Sequence, residues 1–121
     1  MSQPLIANAF TYVVHIENGL KNYILQAHCK FGDEDLGLKH IRVSSEFQWN
    51  YFINLWHTTL YFCNLLWMGG HRTFDVFHVE DNLLHNYCSF LDCYWIAQEN
   101  GIYLFNMPSG QFDFKYKWQP R

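Results

Sequence analysis

Four cysteines, Cys29, Cys63, Cys88 and Cys93, are the residues of this chain whose spacing and surroundings most restrict their chemistry. They lie in or beside the apolar stretches HCKF, YFCNLLW, YCSF and CYW, so they are expected in or next to strands. In a short strand-rich chain, four cysteines point to two disulfides and an oxidising compartment. Four admit three pairings, and the sequence does not separate them. Cys29 with Cys93 and Cys63 with Cys88 is the favoured pairing, because a direct Cys88–Cys93 bridge closes a short loop and constrains the unfolded chain least. Four reduced thiols in a cytosolic core are the bland alternative. A structural zinc site is a poor fit, since only Cys88 and Cys93 are close and paired C-x-x-C spacing is absent.

The remaining reactive side chains form no recognisable constellation. Seven histidines, at positions 15, 28, 40, 57, 71, 78 and 85, occur without an H-x-H or H-E-x-x-H pattern or a flanking carboxylate pair to orient them. A two-histidine nuclease would need a cation for its phosphorane, and Lys30 or Lys39 beside His28 and His40 is the only local option. No nucleophile elbow frames Ser44, Ser45, Ser89 or Ser109. The acidic run Asp33, Glu34, Asp35 lacks the spaced carboxylates of a calcium loop and reads as a tight turn between Gly32 and Gly37, its carboxylates accepting backbone N–H groups. No catalytic residue, metal site or cofactor is assigned. Trp49, Trp56 and Trp118 are candidates for stacking on sugar rings, and a pocket of Trp49, His57 and His71 would favour a binder of small molecules or carbohydrate.

The elements that must position these residues are short strands with turn residues between them. Strand signals cover 11–16, 23–29, 40–43, 47–53, 59–67, 72–79, 87–89, 93–97, 102–106 and 112–118. Asn18-Gly19, Ser44-Ser45, Gly69-Gly70, Asn100-Gly101 and Pro108-Ser109-Gly110 punctuate them. Segments 47–57 and 78–86 are the two places where a short helix competes. Eight to ten closely spaced strands predict a sandwich or barrel. Period two is cleanest at the end, where Phe112, Phe114, Tyr116 and Trp118 alternate with Gln111, Asp113, Lys115 and Lys117. Rings are expected on one face there and charges on the other. Around Cys63 both alternating sets are apolar, so that strand is expected to be central with both faces covered.

Composition narrows the class further. The chain has 121 residues, the size of one domain, with 50% apolar, 20% aromatic and 16% charged residues, enough to bury a core. The net charge of −3 and the scattered Lys and Arg disfavour nucleic acid as a partner. The richest apolar stretch, 51–68, is interrupted by polar residues, so no membrane insertion is expected. The start, MSQPLIANAF, has neither the basic beginning nor the apolar run of a secretory signal. A mature form whose leader has been replaced by Met1 reconciles this with the cysteines, and 1–10 is expected to be flexible.

Several pieces jointly resemble the plant self-incompatibility S-protein homologues. They are VHIENGL at 14–20, HCKFGDEDLG at 28–37, the 47–54 segment leading into TTLYFCNLLW at 58–67, FDVF at 74–77, Cys88, CYW at 93–95 and GIYLF at 101–105. His57 departs from the family pattern, which usually has glycine there. The resemblance runs from about Val13 to about Phe105 and implies a secreted β-sandwich with two disulfides; with the strand spacing and the chain length, the expectation is an all-β fold, an antiparallel β-sandwich of about eight strands stapled by two disulfides, with 1–121 as a single secreted domain. The resemblance also implies no enzymatic activity and an extracellular signalling ligand that binds a plasma-membrane receptor or other cell-surface protein, expected as a monomer. On that analogy Cys29, Cys63, Cys88 and Cys93 are structural, with Trp67 and Trp95 packed near them. Recognition then falls to loops between strands. Gly69, Gly70, His71 and Arg72, and Glu80, Asp81, Asn82, His85 and Asn86, are the loop residues least constrained by core packing.

Overall fold

The computed structural model describes residues 11–31, 34–52, 60–78 and 92–121. Over these residues the alternating pattern becomes nine strands: β1 (Thr11–Asn18), β2 (Leu25–Phe31), β3 (Glu34–Ile41), β4 (Glu46–Phe52), β5 (Leu60–Trp67), β6 (Gly70–His78), β7 (Asp92–Gln98), β8 (Gly101–Asn106) and β9 (Gln111–Tyr116). No helix occurs among the described residues, so none there is long and apolar enough to cross a membrane. Where helix and strand competed at 47–52, strand prevails. The expectations for 1–10, for a strand at 87–89 and for Cys88 lie outside the described residues.

The strands form two sheets, one ordered β4-β1-β7-β8-β9 and the other β3-β2-β5-β6. All neighbours are antiparallel except β1 and β7, which run parallel with Val14 opposite Cys93 and Ile16 opposite Trp95. This corrects the expectation of an antiparallel sandwich. Turn dipeptides announce hairpins, whereas a parallel partner is reached by a long crossover that leaves no local mark.

Both sheets turn their apolar alternates toward one core. Val14 and Ile16 of β1, Cys93, Trp95 and Ala97 of β7, and Ile102 and Leu104 of β8 are buried against Leu25, Ala27 and Cys29 of β2, Cys63 and Leu65 of β5, and Phe74 and Val76 of β6. Each large side chain buried this way contributes about 1.5–3 kcal/mol, so this face-to-face packing dominates stability. Trp95 spans the layers: its Nε1–H donates to the Val76 carbonyl at 3.2 Å, and its ring lies 4.8 Å from that of Phe74.

Backbone bonds close the lateral sides. His71 N–H donates to the Gln119 carbonyl and Gln119 N–H returns the bond to His71, both at 2.9 Å, joining β6 to the segment after β9. Gly70 makes that approach possible, because a Cβ there would stand 2.7 Å from the Gln119 carbonyl oxygen and the residue has a φ of +156°. On the opposite side, Asn18 N–H donates to the Ser45 carbonyl and Ser44 N–H to the Asn18 carbonyl.

The disulfide described joins Cys29 to Cys63, with Cα atoms 4.0 Å apart. The favoured Cys29–Cys93 pairing, and Cys63–Cys88 with it, is therefore replaced. The loop-entropy argument preferred long closures, but strand register decides: Cys29 and Cys63 stand directly opposite each other on β2 and β5, while Cys93 sits in the other sheet. Cys93 is itself disulfide-bonded, and no described cysteine is a free thiol.

Three local expectations also change. β5 is central, between β2 and β6, but Phe62, Asn64 and Leu66 on its second face are only half-buried, as no further layer covers that face among the described residues. The acidic run is not a simple turn: Glu34 and Asp35 already belong to β3, and register slips between His28 and Lys30 as Gly37 takes a φ of +87°. Asp35 Oδ1 accepts the Gly37 N–H at 2.8 Å, as the backbone-acceptor reading anticipated, and lies 2.7 Å from His28 Nε2. The C-terminal rings do not share one face. A second register slip, between Ile102 and Tyr103, pairs Ile102 with Tyr116 yet Tyr103 with Phe114. Tyr116 and Trp118 then pack against the core, while Phe112 and Phe114 are exposed.

Candidate interaction face

The bulge in β9 creates the most distinctive surface of the molecule. Because Val14, Ile16 and Asn18 point inward, Val13, His15 and Glu17 point outward from β1. By the same alternation Asp92, Tyr94 and Ile96 face outward on β7, Tyr103 and Phe105 on β8, and Glu46, Gln48 and Asn50 on β4. One row therefore crosses all five strands as Gln48, His15, Tyr94, Phe105 and Phe112. The next holds Glu46, Glu17, Ile96, Tyr103 and Phe114.

The β8–β9 half of this face is aromatic and partly wet. Phe112 is 45% and Phe114 52% exposed, large values for rings that no core contact requires to be there. Phe105 and Phe112 have ring centroids 5.0 Å apart at 64°, Tyr103 and Phe114 5.4 Å at 86°, and Tyr94 and Phe105 6.4 Å at 89°. These edge-to-face pairs are the favoured arrangement for quadrupolar rings. They present a ridged surface, with no run of coplanar faces on which a sugar chain could lie.

The β1–β4 half is acidic around a nearly buried imidazole. His15 Nδ1 lies 2.7 Å from Glu46 Oε2, and Nε2 lies 2.9 Å from Asp92 Oδ1. The imidazolium form donates to both carboxylates, and the ring is stacked on Tyr94 with centroids 4.1 Å apart at 19°. The two carboxylates lie on opposite ring nitrogens and so do not converge on a point. Among the described residues no group of three or more His, Cys, Asp or Glu could hold a metal ion. Burial, followed by the charges of Asp92 and Glu46, holds the Tyr94 phenol above its ordinary value of 10.0. Glu17 is directly opposite Glu46 in the antiparallel β1–β4 pair, an unfavourable like-charge placement.

The loop residues singled out by sequence fall elsewhere. Met68 and Gly69 form the exposed β5–β6 turn, Gly70 is buried, His71 is tied through its backbone to Gln119, and the Arg72 guanidinium lies 4.9 Å from the Tyr116 ring centroid. Glu80, Asp81, Asn82, His85 and Asn86 lie outside the described residues, as do His57 and Trp56. Trp49 and His71 are not brought together: one is on β4, the edge of the five-stranded sheet, and the other on β6, the far edge of its partner. Sequence reasoning missed His15 as a clamped residue, because Glu46 and Asp92 are distant in the chain and only the β4-β1-β7 order brings them to it.

The chain matches the family described as plant self-incompatibility protein S1 over residues 13–118, and it belongs to that family. It is 34% identical to S-protein homolog 1 of Arabidopsis thaliana over 107 residues, covering 88% of this chain and 70% of that protein. S-protein homolog 74 of the same plant is also 34% identical, with the same coverage, and S-protein homolog 3 is 28% identical over 88% of this chain and 71% of its own length. No solved structure matches the chain.

Proposed function

We propose that this chain is a secreted signalling ligand of the self-incompatibility S-protein type, acting at the cell surface by binding a plasma-membrane receptor and catalysing no reaction. Membership of the S1 family across residues 13–118 is the observation that carries this reading. The buried Cys29–Cys63 crosslink supports it, because such bonds persist in oxidising, extracellular surroundings. A Cys88–Cys93 bond completes the proposed framework. The exposed Met68–Gly69 turn and residues Glu80, Asp81, Asn82, His85 and Asn86 are the proposed recognition loops. The carbohydrate-binding alternative draws less support, given the tilted rings and the separation of Trp49 from His71.

The test is binding of the labelled, oxidised protein to intact plant cells, with unlabelled protein as competitor. Saturable, protease-sensitive binding is expected, and exchanging loop 80–86 for that of a relative should change partner choice without lowering stability. Binding that is unsaturable or survives protease treatment of the cells would overturn the receptor reading.

A further inference from the structure

We propose that one end of the four-stranded sheet is a peripheral docking surface for the anionic lipid headgroups of a membrane. The chain lies against the bilayer at headgroup level and does not span it. The inference goes beyond the receptor reading and does not rest on it.

Charge segregation selects an anionic occupant. The surface is made of the ends of β2, β3, β5 and β6 and the connections beside them, residues 21–27, 39–45, 65–72 and 117–121. These segments hold six of the chain's eight Lys and Arg, namely Lys21, Lys39, Arg42, Arg72, Lys117 and Arg121, and none of its eleven Asp and Glu. Sheet register gathers them. Leu25 stands opposite Ile41, Gln26 opposite Leu66 and Trp67 opposite Gly70, while the mutual bonds of His71 and Gln119 bring 117–121 to β6. Lys39 and Arg72 lie over the rings of Phe47 and Tyr116, at 5.3 Å and 4.9 Å. Lys21, Arg42, Lys117 and Arg121 are exposed and make no ion pair among the described residues. The nearest acids belong to the other sheet or its turns: Glu99 Oε2 accepts the Lys21 backbone N–H at 2.7 Å, and Glu46 is held by His15.

Apolar residues on the same turns favour a lipid over a soluble polyanion. Tyr23, Ile24, Val43 and Met68 are four of the seven large hydrophobics exposed among the described residues, Ile24 at 54% and Met68 at 66%. They come from three separate connections, and a fluid interface accepts such loop tips without a partner shaped to fit them. The Tyr23 ring lies 5.5 Å from that of Trp67, which is 5.8 Å from that of Trp118. Tyr and Trp favour the boundary between water and hydrocarbon, where the ring is shielded and its polar atom stays wet. Peripheral binding draws on both features, apolar area entering the interface and cations close to anionic headgroups, each cation worth about fivefold in affinity. A soluble polyanion would leave Ile24 and Met68 unused, and a second copy of this surface would set cation against cation.

The experiment sediments the oxidised chain with vesicles of phosphatidylcholine alone and with vesicles of phosphatidylcholine and phosphatidylglycerol in equal parts, and measures binding to soluble polygalacturonate alongside. The anionic vesicles should carry the chain down and the neutral ones should not, with affinity falling as salt rises. Arg42→Gln combined with Lys117→Gln should weaken vesicle binding roughly 25-fold. Ile24→Ser combined with Met68→Ser should weaken it roughly tenfold, since both side chains then enter the interface without apolar gain. Both variants should keep the parent's denaturation midpoint, and Lys30→Gln, outside the surface, should bind vesicles as the parent does. Absence of binding to anionic vesicles, equal binding to neutral ones, affinity unchanged in either double variant, or tighter binding to polygalacturonate than to the anionic vesicles would each overturn the inference. The vesicles hold no protein, so their outcome bears on this surface alone. On cells, a high-salt wash removes lipid-held chain and the protease-sensitive remainder reports the receptor. Failure on vesicles with that remainder intact refutes the docking surface, and vesicle binding without it refutes the receptor reading.

Discussion

Replacing Asn18 with alanine should be among the most damaging single changes in the chain outside the apolar core. Asn18 is fully buried, and its Nδ2 donates to the carbonyls of Tyr23 and Ile41, both at 2.8 Å, while its Oδ1 accepts the Leu20 N–H at 2.8 Å. One side chain thus pins the end of β1 to the 20s segment and to the end of β3. Asn18→Ala removes three bonds and leaves three backbone groups without partners. At the low end of about 1 kcal/mol for each unsatisfied group, the loss is about 3 kcal/mol. For a domain of ordinary stability, about 5–15 kcal/mol, that is a large fraction. With a urea m-value on the order of 1.5 kcal/mol/M, the midpoint should fall by roughly 2 M in equilibrium unfolding followed by tryptophan fluorescence with disulfides intact. Asn18→Asp separates bonding from shape, for it keeps the acceptor for Leu20 but aims a carboxylate at two carbonyl oxygens. At neutral pH it should be at least as destabilising as alanine. It should regain stability as pH falls, because burial raises the new carboxyl's value and the protonated form can donate to one carbonyl. An alanine variant within about 0.5 kcal/mol of the parent, below the cost of even one orphaned buried group, would refute this account of the corner.

Removing the crosslink with Cys29→Ala and Cys63→Ala together should cost roughly 4 kcal/mol by the loop-entropy relation for a sequence separation of 34, measured by the same unfolding experiment. Asp35 should titrate below its ordinary 3.8, mainly through the Gly37 N–H and then through His28, so His28→Ala should move its carbon resonance midpoint only part of the way back. Because that value is depressed, its contribution to stability is present above 3.8 and lost as pH falls through the folded value. For Tyr94, whose value is raised, the sign reverses: the contribution is present below 10.0 and lost as pH rises through the folded value. Asp92→Asn should lower the Tyr94 midpoint in an ultraviolet phenolate titration without returning it to 10.0, since burial is the larger cause.

What the sequence determined by itself was the material of the sheets. Alternation of small and large apolar residues with polar ones, interrupted by Asn18-Gly19, Ser44-Ser45 and Asn100-Gly101, marks most of the strands and, away from the register slips, which of their residues point inward. Strand periodicity is a local property of neighbouring residues. The VHIENGL, TTLYFCNLLW and CYW pieces also make the family legible in the sequence. Tertiary structure alone decided which strands became neighbours. The parallel β1–β7 pair, the Cys29–Cys63 bond and the carboxylates around His15 each join residues far apart in the chain, and no local signal encodes such a meeting. The one-residue slips beside Lys30 and Tyr103 were equally hidden. Because side chains alternate with a period of two, a single slip carries Phe112 and Phe114 from the expected core face to the outside, turning a buried stripe into an exposed surface.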